Sequence, residues 1–115
     1  MRASGSMTVS STIFSIKKFS VSGESVQLLM TAAFTNGGTA SVANYYTLPF
    51  VCDSTAASAA WGHAVQVVNN SVQEVGVARL SSNQEIECYR YTGGNWNIVA
   101  NQVIHESCVF PLLYP

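Results

Sequence analysis

The groups in this sequence that are able to carry acid–base, nucleophilic or metal chemistry are few and scattered. The histidines are His63 and His105, the acids are Asp53, Glu24, Glu74, Glu85, Glu87 and Glu106, and the thiols are Cys52, Cys88 and Cys108. A Ser-His-Asp set drawn from His63 and Asp53 has no nucleophile elbow and no oxyanion-hole motif to fix it. Glu85 and Glu87 share a strand face at i, i+2, whereas glycosidase carboxylates come from opposite sides of a cleft, so the pair reads as a solvated face. The cysteines lie 36 and 20 residues apart with no CxxC and no histidine at ligand spacing. That arrangement is too sparse for a zinc site, and an odd count argues against a disulfide framework, so small buried thiols are expected, with one disulfide and a spare thiol as the alternative. Phosphate, dinucleotide and calcium loops are absent. Asn69-Asn70-Ser71 has the form of a glycosylation sequon and reads as a turn. The expectation is a protein that is not an enzyme, with no catalytic residues, no cofactor and no metal.

Binding is a different matter. The stretch YRYTGGNWN, Tyr89 to Asn97, crowds three large aromatics and an arginine around a Gly-Gly pair. Strand alternation puts Glu87, Tyr89 and Tyr91 on one face and Ile86, Cys88 and Arg90 on the other. Across the glycines Trp96 is expected to meet Tyr91 as a cross-strand aromatic pair, a contact worth roughly 0.2–1 kcal/mol. Two readings follow. The aromatics serve hairpin packing or a subunit contact, or they form a flat platform for sugar rings with Arg90, Asn95 and Asn97 as donors.

The elements that must hold these residues are strands. Runs rich in Val, Ile, Tyr and Thr recur between Gly, Asn and Ser clusters, and no stretch keeps a helical period. Thr8 to Phe19 is one strand. Ser25 to Phe34 is the best defined, with Val26, Leu28, Met30, Ala32 and Phe34 on one face. Asn36-Gly37-Gly38 is expected to turn the chain so that Thr39 to Leu48 returns, with Pro49 ending its pairing. His63 to Val68 and Ser71 to Leu80 bracket a turn at Asn69-Asn70, and Ser81-Ser82-Asn83 makes the next corner. Gln84 to Tyr91 and Trp96 to Ile104 then bracket Thr92–Asn95 as a third hairpin, and Cys108 to Tyr114 adds a last strand. The fold class is all-β, an antiparallel β-sandwich, jelly-roll-like, with a C-terminal hairpin meander. The small-residue run DSTAASAA reads as a loop.

Composition bounds the partners. At 115 residues the chain is one domain. Residues 1–6, with Ser-Gly-Ser before a second Met, look like a tag or linker remnant, leaving 7–115 as the domain. Charged residues are 10% of the chain, against roughly 25% in typical domains, and 36 residues are Ser, Thr, Asn or Gln. A net charge of −1 leaves no electrostatic footprint for nucleic acid or anionic lipid. No signal peptide, transmembrane segment or membrane insertion is expected. Hydrophobic residues at 48% with so few charges point to self-association, because charge is what keeps small domains apart.

A strand ending in GGTASVANYYTLPF, a small-residue loop, then GHAVQVVNNSVQEVGVARL and a late CVFP resembles the C-terminal knob domains of tailed-phage fibre and appendage proteins. The likeness covers roughly residues 20 to 112, on short motifs. Such knobs are jelly-roll-like sandwiches, similar in plan to the trimeric heads of tumour necrosis factor and complement C1q. The resemblance implies a homotrimer on a virion, in a tail fibre or at the capsid surface, that binds a host-surface receptor, a glycan or protein. The alternative is a capsid decoration or assembly protein with no receptor activity. On this expectation Tyr45, Tyr46, Val65 and Val67 line the subunit seam. Trp61, His63 and the Tyr89–Asn97 group (Tyr89, Arg90, Tyr91, Asn95, Trp96 and Asn97) lie on loops that a receptor touches.

Overall fold

The computed structural model describes residues 1–52 and 62–111, and the described residues form strands and connections without helix. The strands are β1 Arg2–Ala3, β2 Met7–Ser22, β3 Ser25–Gly38, β4 Ala43–Thr47, β5 His63–Asn69, β6 Val72–Ser82, β7 Glu85–Arg90 and β8 Gln102–Pro111. All pair antiparallel in one sheet of order β1-β4-β7-β6-β5-β8-β3-β2. The fold is therefore all-β, as the alternation predicts.

Two contacts show how the sheet is shaped. Tyr46 of β4 hydrogen-bonds Glu106 of β8, four places away in the strand order. Asn36 of β3 and Asn44 of β4 exchange side-chain amide bonds at 2.8 and 3.1 Å. Strands so far apart in the order meet only if the sheet curls until its halves face each other, sandwich-like, across a shared core. The edges approach where Met7 N donates to Ser4 O at 3.2 Å and Thr39 N to Ser6 O at 3.3 Å. Closure is partial, because β1 offers two residues against the sixteen of β2.

The core is built from strand faces. Val26, Leu28, Met30, Ala32 and Phe34 are all buried, as period-two alternation requires of a strand with one face inward. Tyr46, Leu48, Val65, Val67, Ile86, Cys88, Trp96 and Ile104 complete the layer. Gly76 lets β5 and β7 close on β6: a Cβ there would lie 2.8 Å from Val67 Cγ1 and 2.9 Å from Tyr89 O. The β5–β6 hairpin turns on Asn70 (φ 54°) and Ser71 (φ 64°), one residue later than expected. Two successive positive φ values define the mirror-image turn whose twist matches paired strands.

Two expected hairpins do not form. β7 pairs with β6 and β4, and β8 pairs with β5 and β3, so Tyr91 and Trp96 are not cross-strand partners. β4 does not return along β3 either; it crosses to lie between β1 and β7. The meander is therefore β5-β6-β7, with β8 reached through the long connection 91–101 and β4 through the short crossing 39–42. Burial of Trp96 explains the departure. Its ring packs on Phe34 at 6.0 Å, and the segment carrying it is tied across the barrel end by Trp96 N to Ser41 O at 2.9 Å and Asn36 N to Val99 O at 3.0 Å. Within residues 1–6, Arg2 and Ala3 join the sheet by pairing with Tyr45 and Asn44.

Candidate functional site

The residues singled out for binding separate into three places. Tyr89 and Tyr91 lie on the outer face of the sheet, where Val77, Arg79, Tyr89, Arg90, Tyr91 and Gly93 line an open depression of about 270 Å³. Tyr91 is 74% exposed. Arg79 is ion-paired to Glu87 and stands 5.2 Å over the Tyr89 ring. Arg90 forks onto Glu74 and donates to the Asn95 carbonyl at 2.8 Å. These pairs hold the aromatic floor in one arrangement.

Trp96 and Asn97 do not join it. Trp96 is fully buried, and its Nε1 has no acceptor among the described residues. The Asn97 side chain accepts from Asn69 at 2.8 Å while its own N–H donates back to Asn69 at 2.9 Å. Asn69 and Asn97 belong to the amide network around Gln102, which donates to Asn69 at 2.7 Å and to the Asn97 carbonyl at 3.1 Å. Trp61 and Asp53 lie outside the described residues. The expected seam also turns inward: Tyr46, Val65 and Val67 are buried in the barrel, since their strand parity faces the core. Tyr45 lies beneath the Arg2 guanidinium, 3.8 Å from its ring centre.

His63 goes to a site that spacing did not reveal. Its Nε2 is paired with the Glu106 carboxylate, whose other oxygen accepts from Tyr46 Oη. Cys108 completes the group: one ligand atom each from His63, Glu106 and Cys108 lie within 4.8 Å of one another. The Glu106 side chain is wholly inaccessible to solvent, and a buried carboxylate is costly unless paired and hydrogen-bonded. Burial by itself lowers the His63 pKa; hydrogen bonds to Cys108 and Glu106, with the Glu106 charge, overcome this and raise it to about 10. Burial, then the same carboxylate, pushes the Tyr46 hydroxyl well above its ordinary value. His63 and Tyr46 thus each keep their proton beside the carboxylate.

Sequence spacing misses this cluster because the ligands meet by strand pairing. β5 and β8 are neighbours, with Gln66 opposite His105, so residues some forty apart become adjacent. One signal was present. In β8 the inward positions read Gln102, Ile104, Glu106, Cys108 and Phe110, an acid in phase with the core. No protein-family model, curated protein or solved structure matches the chain.

Proposed function

We propose that this protein is a structural subunit that works by assembling with copies of itself. The observation that carries this reading is the inner face of β2. Phe14, Ile16, Phe19 and Val21 pair with Ala32, Met30, Leu28 and Val26, so they lie on the core side of the sheet. Their partners are buried, yet they are 44%, 50%, 44% and 58% exposed. The core layer runs on past the point where the short β1 can cover it. Full burial of such side chains is worth about 1.5–3 kcal/mol each, and roughly half of that is unrealised in one chain.

A second copy is the occupant that the chain itself favours. With 10% charged residues little repulsion keeps copies apart, and β2, at the end of the strand order, also has one edge without a ladder partner among the described residues. Edge and stripe together suit a closed homo-oligomer in which each chain covers its neighbour. The resemblance to phage knobs makes a trimer at a virion surface the form of assembly we propose. Light scattering should give three times the 12.3 kDa chain mass, and Ile16→Lys should reduce it to one while the circular dichroism stays unchanged. A wild-type monomer at high concentration would sink the proposal.

A second reading, attachment to a host-surface glycan, is favoured by Tyr91 alone: an exposed ring beside a depression flanked by Arg79 and Arg90. Tyr91→Ala should then remove glycan-array binding and leave the oligomer intact. Absence of any wild-type array signal would leave assembly as the whole function.

A further inference from the structure

We propose that His63, Glu106 and Cys108 form a binding site for one divalent transition-metal ion of the zinc class. The three donors are an imidazole nitrogen, a carboxylate oxygen and a thiol sulfur, all within 4.8 Å of one another. A tetrahedral ion with bonds of about 2.0–2.3 Å holds its ligand atoms roughly 3.3–3.8 Å apart. The cluster therefore needs small adjustments of side chains and no movement of strands. A mixed nitrogen, oxygen and sulfur set selects a borderline ion, because calcium and magnesium prefer oxygen alone.

An ion pair by itself accounts for His63 and Glu106. A third ligand atom, Cys108 Sγ, converges on the same point. The surroundings are those of a supported site. Tyr46 holds the second oxygen of Glu106, fixing the carboxylate as outer hydrogen bonds fix metal ligands generally. The ring of His63 is set edge-on to Phe110 at 5.6 Å. Cys108 is partly exposed while Glu106 is buried, so the sulfur marks the path from solvent. Coordination requires the neutral imidazole of His63 and the thiolate of Cys108, so binding of the ion releases protons. Three protein ligands leave a fourth position for water or a further donor.

Cobalt(II) titration of the full chain tests this, because thiolate ligation gives a charge-transfer band in the near ultraviolet. The expected result is saturation at one ion per chain, with the band displaced by zinc and lost in Cys108→Ser. Cys52→Ser and Cys88→Ser keep the band, which separates this site from thiol binding by unfolded chain. Tyr46→Phe retains the band but weakens affinity about 10–100-fold. If Cys108→Ser does not fold, His63→Gln carries the same test, with affinity expected to fall at least about 10-fold. A wild-type chain without the band, a band that persists in folded Cys108→Ser, or unchanged affinity in folded His63→Gln overturns the proposal.

Discussion

Phe14 stands directly opposite Ala32 in the β2–β3 ladder, on the same side of the sheet, yet Ala32 is fully buried and Phe14 is 44% exposed. Two residues on one face normally share one environment. Here the environment ends between them, because the sheet curls over β3 and leaves most of β2 outside. On the assembly proposed above, the apolar character of β2 belongs to a core that a second copy completes.

Trp96 is a core residue, and its truncation should show it. Trp96→Ala removes the ring that packs on Phe34 and is expected to cost about 3–5 kcal/mol, as large aromatic truncations do. Trp96→Phe should cost far less, because it keeps the ring contact and deletes a buried N–H with no acceptor among the described residues. Urea denaturation of the two variants checks the order.

Gly76 admits no side chain. Gly76→Ala would drive a Cβ to 2.8 Å from Val67 Cγ1, 2.9 Å from Tyr89 O and 3.1 Å from Val65 Cγ2. Because the second of these is backbone, relief requires β6 and β7 to separate. A loss of about 1–3 kcal/mol is expected from such overpacking, read as a lower urea midpoint with an unchanged slope.

The three thiols should react in a set order. Cys52 and Cys88 are buried, and Cys108 is partly exposed. Burial, then the proximity of Cys108, pushes the Cys52 thiol up to about 11, and burial with the Glu106 charge raises Cys88 further. Since the thiolate is the reacting form, iodoacetamide at pH 8 should label metal-free protein first at Cys108. Peptide mass spectrometry reads this directly, and equal labelling of Cys88 would contradict the packing.

The attachment of β1 should weaken in acid. The Arg2 guanidinium, bonded to Glu85 at 2.8 and 3.0 Å, and the Ser81 hydroxyl hold the Glu85 carboxyl below the usual range, against burial, which raises it. A depressed folded pKa means that the contribution is present above the unfolded value, about 4.3, and is lost as pH falls through the folded one. Hydrogen exchange of the Ser4 amide, which donates to Ala43 O, should therefore accelerate as pH falls through that window relative to its intrinsic rate. In Glu85→Gln the dependence should vanish.

How much of this was legible depends on which physics each residue obeys. Val26 to Phe34 could be read from alternation, because a strand with one buried face leaves that mark in its own sequence. The turn at 70–71 could be read to within one residue from its asparagines. Trp96 could not, because glycines beside aromatics signal a hairpin locally, whereas the ring is held by Phe34, sixty-two positions away. The same limit hid His63, Glu106 and Cys108, whose meeting follows from β5 lying beside β8. Tyr46, Val65 and Val67 were recognised as apolar strand residues, but which side of a strand faces inward is fixed by closure of the whole sheet. The exposed stripe on β2 was hidden for the same reason: its residues are ordinary core residues until one knows where the barrel stops.

The claim that β2 is covered by a copy of the same chain is tested most directly by amide hydrogen exchange of residues 13–21 at low and high protein concentration. Assembly predicts that protection of these amides rises with concentration, while β5 and β6, whose ladders lie within one chain, are protected throughout. Rapid exchange along β2 at every concentration, in a protein that stays monomeric, would contradict it.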